Sequence, residues 1–383
     1  MKIVSVVGAR PNFMKIAPFI RAIEEANRDD GVHIDHVLVH TGQHYDDSMS
    51  KAFFDALNIP EANINLGIGS GTHAEQVGHT MIAFEKVVRQ EKPDWVVVVG
   101  DVNATCACSI TAKKEHVRLA HIEAGLRSRD MTMPEEINRL VTDRLSDLLF
   151  TPDRLSSDNL RQEGVPEDKI KFVGNIMIDT LEAQRGKAAA LQIADIIRDN
   201  CLGGHIMPDV EGLAGGFSLL TLHRPSNVDD PAILTDIVNF LTDELTKELV
   251  LLWTVHPRTE KQLKSFGLWD RVMTAKNLVP LRPLGYHELL RLNMQASMVL
   301  TDSGGLQEEC CVLGTPCLTF RWNTERPVTL REHGGASILV GNDIGQIRSA
   351  YRQMLAQGRT PSRPELWDGL TAPRIVAAIV AAG

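Results

Sequence analysis

Short β-branched runs alternating with amphipathic stretches of helical length are the feature that most narrows what this chain can fold into. Runs at 3–7, 34–40, 95–99, 117–122, 148–150 and 170–173 are each followed by a helical pattern. That alternation predicts βαβ units, hence a doubly wound α/β architecture with mostly parallel sheets and helices on both faces. After a glycine-containing, weakly periodic stretch at 201–216 the rhythm restarts, with runs at 218–222, 250–255, 278–281, 299–301, 317–320 and 338–340. The expectation is two domains: residues 1–175, joined by a C-terminal helix at about 366–383, and residues 176–365. A chain of 383 residues suits that division, because single hydrophobic cores stop growing beyond about 250–300 residues.

Composition removes several classes of function. Forty Lys and Arg stand against 49 Asp and Glu, for a net charge of −9, so neither a nucleic acid nor an anionic membrane is an expected partner. An anionic ligand has to be met by local groups. Six cysteines (Cys106, Cys108, Cys201, Cys310, Cys311, Cys317) form no CxxC pair and have no histidines at ligand spacing; they read as buried thiols in a reducing compartment, and no metal site is assigned. The opening MKIVSVVGARP enters a strand directly, without an apolar signal core, and no later apolar run approaches the ~20 residues of a membrane-spanning helix. A cytoplasmic protein is expected.

In open parallel sheets ligands bind outside the carboxyl ends of the strands, and the unusual polar residues fall there. The first strand ends in Gly8-Ala9-Arg10-Pro11, with Lys15 on the following helix. This is not the G-x-G-x-x-G of a dinucleotide site, and no P-loop motif occurs, so nicotinamide and P-loop chemistry are not expected. The next strand end carries His40 and His44. Gly100-Asp101 closes a third strand, His121-Ile122-Glu123 a fourth, and Pro134-Glu135-Glu136-Ile137-Asn138-Arg139 opens a helix. Singly these acids are ordinary helix-start residues; together they suit general acid–base work. In the second half, Thr301-Asp302-Ser303-Gly304-Gly305 leads from a strand into a helix. Ser303 is a natural N-cap, and the two glycines at a positive helix end favour a phosphate. Glu309, further along that helix, is placed to accept from two ribose hydroxyls. His223-Arg224 and Thr324-Glu325-Arg326 fall at neighbouring strand ends, a set of donors and cations suited to a diphosphate.

The segments GARPNFMKIAP, TGQH, VGDVNAT, HIEAGLRS, MPEEINR, VGNIMIDTL, LTLHRPSN, LTDSGGLQEE, LGTP and NTERP resemble, in the same order and over almost the whole chain, the UDP-N-acetylglucosamine 2-epimerase family. The resemblance implies a GT-B-like fold, two Rossmann-like domains facing a cleft, with UDP held mainly by the second. It implies interconversion of UDP-GlcNAc and UDP-ManNAc with no added cofactor, and a homodimer. Carried over by motif, Arg10 would lie by the uridine and Lys15 near the sugar and diphosphate. Asp101, Glu123 and Glu135 would be the carboxylates around the sugar, and His223 would meet the diphosphate or leaving group. Ser303, Gly304 and Gly305 would cap the phosphates, Glu309 would hold the ribose, and Arg326 would face sugar and phosphates. His44, Arg139, Arg224, Asn227 and Leu289 complete the expected substrate-binding set.

Two motifs depart from the family's usual GTRPE and HREN: they stand here as Gly8-Ala9-Arg10-Pro11-Asn12 and His223-Arg224-Pro225-Ser226-Asn227. Asp46 replaces a glutamine through which some relatives bind a second substrate molecule, and the loop at 67–72 supplies no arginine; both argue against activation by substrate. The alternatives within the resemblance are a hydrolysing enzyme that releases ManNAc and UDP, and a 2-epimerase for another UDP-2-acetamido sugar. Outside it stand a glycosyltransferase and a sugar-nucleotide-binding regulator without turnover.

Overall fold

Two separate parallel sheets organise the chain. The computed structural model describes residues 1–8, 10–28, 33–42, 61–203, 213 and 216–383. Residues 1–183 and 364–383 make one compact unit and 184–363 the other. The boundary falls inside the helix Ile176–Ala189.

The first unit holds β1 (Lys2–Val7), β2 (Asp35–His40), β3 (Ile64–Asn65), β4 (Trp95–Val99), β5 (Arg118–Ile122), β6 (Leu148–Thr151) and β7 (Ile170–Phe172), in the order β3-β2-β1-β4-β5-β6-β7. Every pairing is parallel; Val4 opposes Val37 on one side and Val96 on the other. All five residues of β4 are buried, as expected of a central strand with helices on both faces. The expected runs coincide with these strands to within a residue or two, except β3, whose two residues are too few to show a period.

The second unit repeats the plan with β8 (Phe217–Thr221), β9 (Val250–Thr254), β10 (Leu278–Leu281), β11 (Met298–Thr301), β12 (Cys317–Thr319) and β13 (Ser337–Leu339), ordered β10-β9-β8-β11-β12-β13. Alternation along the strands divides the core in two. Leu220, Leu251, Trp253, Leu300 and Leu318 join one buried cluster, and Leu219, Leu252, Val279, Val299 and Cys317 join the other. The second cluster takes in Ile196 and Ile197 of the helix Ile193–Asn200.

The last helix, Thr371–Ala381, packs against the first, Arg10–Ala26. The chain is pinned on its way there. Gly174 sits at φ +96° with its α-carbon so close to the returning backbone that a Cβ would fall 2.1 Å from the Leu366 carbonyl oxygen. Trp367, fully buried, donates from its indole N–H to the Pro152 carbonyl at 2.9 Å. Asp179 then accepts from the backbone N–H groups of Thr371 (3.1 Å) and Ala372 (2.7 Å), a helix cap supplied from a distant element. Asp179→Ala should therefore lower the stability of the unit by about 1–2 kcal/mol, read as a lower urea midpoint with an unchanged slope; a midpoint equal to that of the parent protein would remove the capping role.

Candidate active site

Each sheet reverses its strand order once, and there the loops leaving two neighbouring strands part to opposite faces and open a crevice. In the first unit the reversal lies between β1 and β4, in the second between β8 and β11. Gly8 and Gly100 leave the first pair of strands, His223 and Asp302 the second.

At the first reversal Asn12 ties the two strand ends together: its side chain accepts from Gly8 N at 3.3 Å and donates to the Val99 carbonyl at 3.0 Å. Gly100, at φ +69°, presents its α-carbon to Asn12, Lys15 and Glu123; a Cβ would stand 3.2–3.4 Å from atoms of all three. Lys15 and Glu123 form an ion pair, both less than a tenth exposed. Glu123 follows directly on β5 with φ +71°, a left-handed backbone that costs a non-glycine residue of order 1–3 kcal/mol and is retained where the surroundings impose it. Both Glu123 N and Ala124 N donate to the Phe150 carbonyl, at 3.1 and 3.0 Å, and so hold the turn that aims the carboxylate.

Asp101 is held by the helix Pro134–Leu145, which packs inside out. Glu136, Asn138, Arg139, Thr142 and Asp143 are buried while Ile137 is 47% exposed. The Arg139 guanidinium donates to Asp101 Oδ2 from Nε (3.0 Å) and Nη2 (2.7 Å), pairs with Glu136, and is itself buried. Asn138 donates to the Asp101 carbonyl at 2.8 Å. Glu136 also accepts from the N–H groups of Ser128 and Arg129 at 3.0 and 2.8 Å. Glu135, one position earlier, is partly exposed. A charged inner face costs desolvation unless its partners are complete, and here the inner groups pair with one another.

At the second reversal Asp302 is fully buried. Its Oδ2 accepts from His223 N (2.9 Å), Arg224 N (2.8 Å) and Asn227 Nδ2 (3.1 Å), and Oδ1 faces His223 Nδ1 at 2.8 Å. Burial alone would push the Asp302 carboxyl up; His223 and the backbone N–H groups outweigh it and hold it below the usual carboxylate range. The His223 side chain remains 43% exposed, so its Nε2 is the nitrogen left for a ligand. His256 lies beside it, with ring centroids 5.5 Å apart. Ser303 then caps the helix Gly304–Leu313 by position, but its side chain makes no cap hydrogen bond, which leaves the first N–H groups of that helix for an anion.

Behind this turn Arg326 pairs with Glu308 at 2.7 Å and with Glu325, and Arg321 pairs with Glu325 at 2.6 Å, all nine-tenths or more buried. Gly304 makes room for them: a Cβ there would fall 2.8 Å from Arg326 Nη1. Glu309 is buried, and burial, with the charge of Glu308, pushes its carboxyl up to about 7 against contacts with Tyr286 and Asn293 that lower it.

The structure thus gathers Lys15, Asp101, Glu123 and Arg139 in one unit, with Glu135 on the same helix as Arg139, and His223, Arg224, Asn227, Ser303, Gly304, Gly305 and Arg326 at one sheet end of the other. Glu309 lies on the helix the glycines begin, and Leu289, half-buried on Tyr286–Gln295, packs against the core. Arg10 opens its helix, and His44 and Asp46 lie outside the described residues. Arg139, Asn227 and Arg326 are turned into the protein in this state, as holders of other side chains. Reading along the chain missed Asp302, Glu136, Asp143 and His121 as working parts; the signal for Asp302 was present, an acid between a strand and a glycine pair. All six cysteines are free thiols and Cys201 alone is not buried. Among the described residues no cluster of His, Cys, Asp or Glu is arranged to hold a metal ion.

Comparison with known proteins gives concordant results. A family model described as UDP-N-acetylglucosamine 2-epimerase matches residues 25–380. A UDP-N-acetylglucosamine 2-epimerase of Methanocaldococcus jannaschii is 42% identical over 98% of both chains. A UDP-2,3-diacetamido-2,3-dideoxy-D-glucuronate 2-epimerase of Pseudomonas aeruginosa is 40% identical over 93% of each. The crystal structure of the Methanocaldococcus jannaschii UDP-GlcNAc 2-epimerase in complex with UDP-GlcNAc and UDP superposes with a TM-score of 0.85, at 40% identity and covering all of both chains.

Proposed function

Because this chain belongs to the UDP-N-acetylglucosamine 2-epimerase family, with a GT-B-like α/β fold, we propose that it is a non-hydrolysing isomerase that interconverts UDP-GlcNAc and UDP-ManNAc. The observation that carries the proposal is Glu123, a buried carboxylate held in a left-handed backbone at a strand end and paired with Lys15. Nothing in packing a parallel sheet calls for that arrangement, and strain of this kind collects at working sites.

The hydrogen on carbon 2 of the sugar is not acidic, because no carbonyl adjoins that carbon. If the bond from carbon 1 to the UDP oxygen breaks first, positive charge develops beside carbon 2 and its proton becomes removable. Elimination then gives UDP and a 2-acetamidoglucal. Return of UDP to carbon 1, with a proton delivered to the other face of carbon 2, inverts the centre. The electron pair of the broken bond leaves with UDP and comes back with it, so the reaction is redox-neutral and needs no nicotinamide.

In this reading the second unit holds the nucleotide. The helix start at Ser303, Gly304 and Gly305 takes the diphosphate, Glu309 takes the ribose, and His223, steadied by Asp302, meets the leaving phosphate through Nε2. The first unit works on the sugar: Asp101, Glu123 and Glu135 share proton removal and return on the two faces, with Lys15 balancing charge. Arg10 and His44 complete the substrate contacts. The relative from Pseudomonas aeruginosa at 40% identity favours one second reading, the same reaction on a diacetamido UDP-uronic acid. We place the enzyme in the cytoplasm as a homodimer serving polysaccharide biosynthesis; among the described residues no helix is long and apolar enough to cross a membrane.

Incubation with a panel of UDP-sugars, followed by proton NMR, tests the assignment. UDP-ManNAc formed from UDP-GlcNAc supports it; free ManNAc would make the enzyme a hydrolysing one, and turnover of the uronic acid alone would move the substrate. Asp101→Asn and Glu123→Gln should each lower kcat by about 10²–10⁴ while calorimetric UDP binding persists; near-parent kcat in both would overturn their roles.

Glu309 generates a pH dependence. Ribose hydroxyls donate to the ionised carboxylate, so its pKa falls in the complex, and the free protein then holds more protons than the complex below pH ~7. UDP affinity should be full above pH ~7 and fall below it by up to about tenfold per pH unit, beyond whatever slope Glu309→Gln retains. Parallel pH profiles for the two proteins would remove Glu309 from the ribose.

A further inference from the structure

His121 lies on β5, two residues before Glu123, and is fully buried. Its Nδ1 stands 2.6 Å from Asp143 Oδ1 and its Nε2 2.8 Å from the Gly100 carbonyl oxygen. A carbonyl only accepts, so Nε2 carries a hydrogen. Asp143 Oδ2 meanwhile accepts from Gly125 N at 3.0 Å and from Arg127 Nη1 at 2.7 Å. With those donors and the imidazole against it, Asp143 stays ionised although completely buried. Its Oδ1 is therefore an acceptor too, and Nδ1 also carries a hydrogen.

Behind Asp143, Arg127 is closed by Glu163 at 2.8 and 2.7 Å, which fixes the guanidinium that donates to Asp143; on the Gly100 side lies the Lys15–Glu123 ion pair.

We infer that His121 is a positioning residue that donates from both ring nitrogens, and so ties the Gly100 carbonyl, and with it the Gly100-Asp101 turn, to the helix that holds Asp101. The turn needs such a tie: Gly100 is left-handed, and its neighbour's carboxylate and carbonyl are already gripped by Arg139 and Asn138 of the helix that carries Asp143. His121 adds the third hold, from the strand that leads into Glu123, so one ring sets the spacing between the two carboxylates. A flat ring with two opposed N–H donors makes both bonds. The inference rests on the reading of Asp101 and Glu123 as the groups that work on the sugar.

Two measurements test it. Nitrogen-15 NMR of the full protein, with His121 assigned by through-bond correlation, should show a hydrogen on both ring nitrogens at neutral pH. A ring with one bare nitrogen would overturn the inference. In the second arm, His121→Gln can reach the Gly100 carbonyl with its amide N–H, whereas His121→Asn reaches only toward Asp143. Per UDP-binding site counted by calorimetry, His121→Asn should lose about 10²-fold in kcat with KM little changed, the loss expected of a misplacement of about 1 Å, and His121→Gln should recover most of that loss. A merely structural role would reduce the number of UDP-binding sites and leave kcat per site unchanged, which would also overturn the inference. If the parent protein turns over no UDP-sugar, the functional reading fails by itself and the NMR arm decides the state of His121.

Discussion

Parallel pairing places the carboxyl ends of neighbouring strands along one edge, and a single reversal of strand order opens that edge for a ligand. Everything functional here follows from where the two reversals fall. Between β1 and β4 they bring Gly8, Asn12, Lys15 and Gly100-Asp101 together, with Glu123 on the next strand. Between β8 and β11 they bring His223 against Asp302 and set the Ser303-Gly304-Gly305 helix start beside them. Residues nearly 80 or more positions apart meet because the sheet, rather than the local sequence, carries them there.

The two units solve their electrostatics with one device used differently. In each, a fully buried aspartate faces a histidine Nδ1 and also collects backbone and side-chain N–H donors: Asp143 with His121, Arg127 and Gly125, and Asp302 with His223, Arg224 and Asn227. Removing one partner of such a set would strand a buried charge, at a cost of about 3–5 kcal/mol. The difference lies in the second ring nitrogen. That of His121 is consumed by the Gly100 carbonyl, whereas that of His223 is left on a ring 43% exposed. One histidine holds backbone in place, and the other is available for chemistry.

Much of this was legible along the chain. The strand run Val96–Val99 announces itself by β-branching, Leu219–Leu222 as a short apolar run of strand length, and strand-end acids such as Asp101 and Glu123 follow from the rule that ligands gather there. What was not legible has a physical cause in each instance. β3 is two residues long and has no period to read. Glu135 and Glu136 differ by one position, about 100° around a helix, and only the packed structure shows that Glu136 faces inward while Ile137 faces out. The serine before the glycines marks the helix start correctly, yet its side chain makes no cap bond. The partner of a buried charge depends on tertiary contact: Arg139 with Asp101, Arg326 with Glu308 and Glu325, and Asp143 with His121 are pairs that spacing alone does not select.

The account comes down to whether breaking the bond between sugar and UDP makes the hydrogen on carbon 2 exchangeable. Incubation of the enzyme with UDP-GlcNAc in heavy water, with the recovered sugar nucleotides followed by proton NMR and mass spectrometry, asks this directly. The account predicts that one deuterium enters, at carbon 2, in both the product and the returned substrate, and that neither acquires more. Epimerised product that keeps its original hydrogen at carbon 2, or UDP-GlcNAc returned without label while UDP is transferred elsewhere, would contradict it.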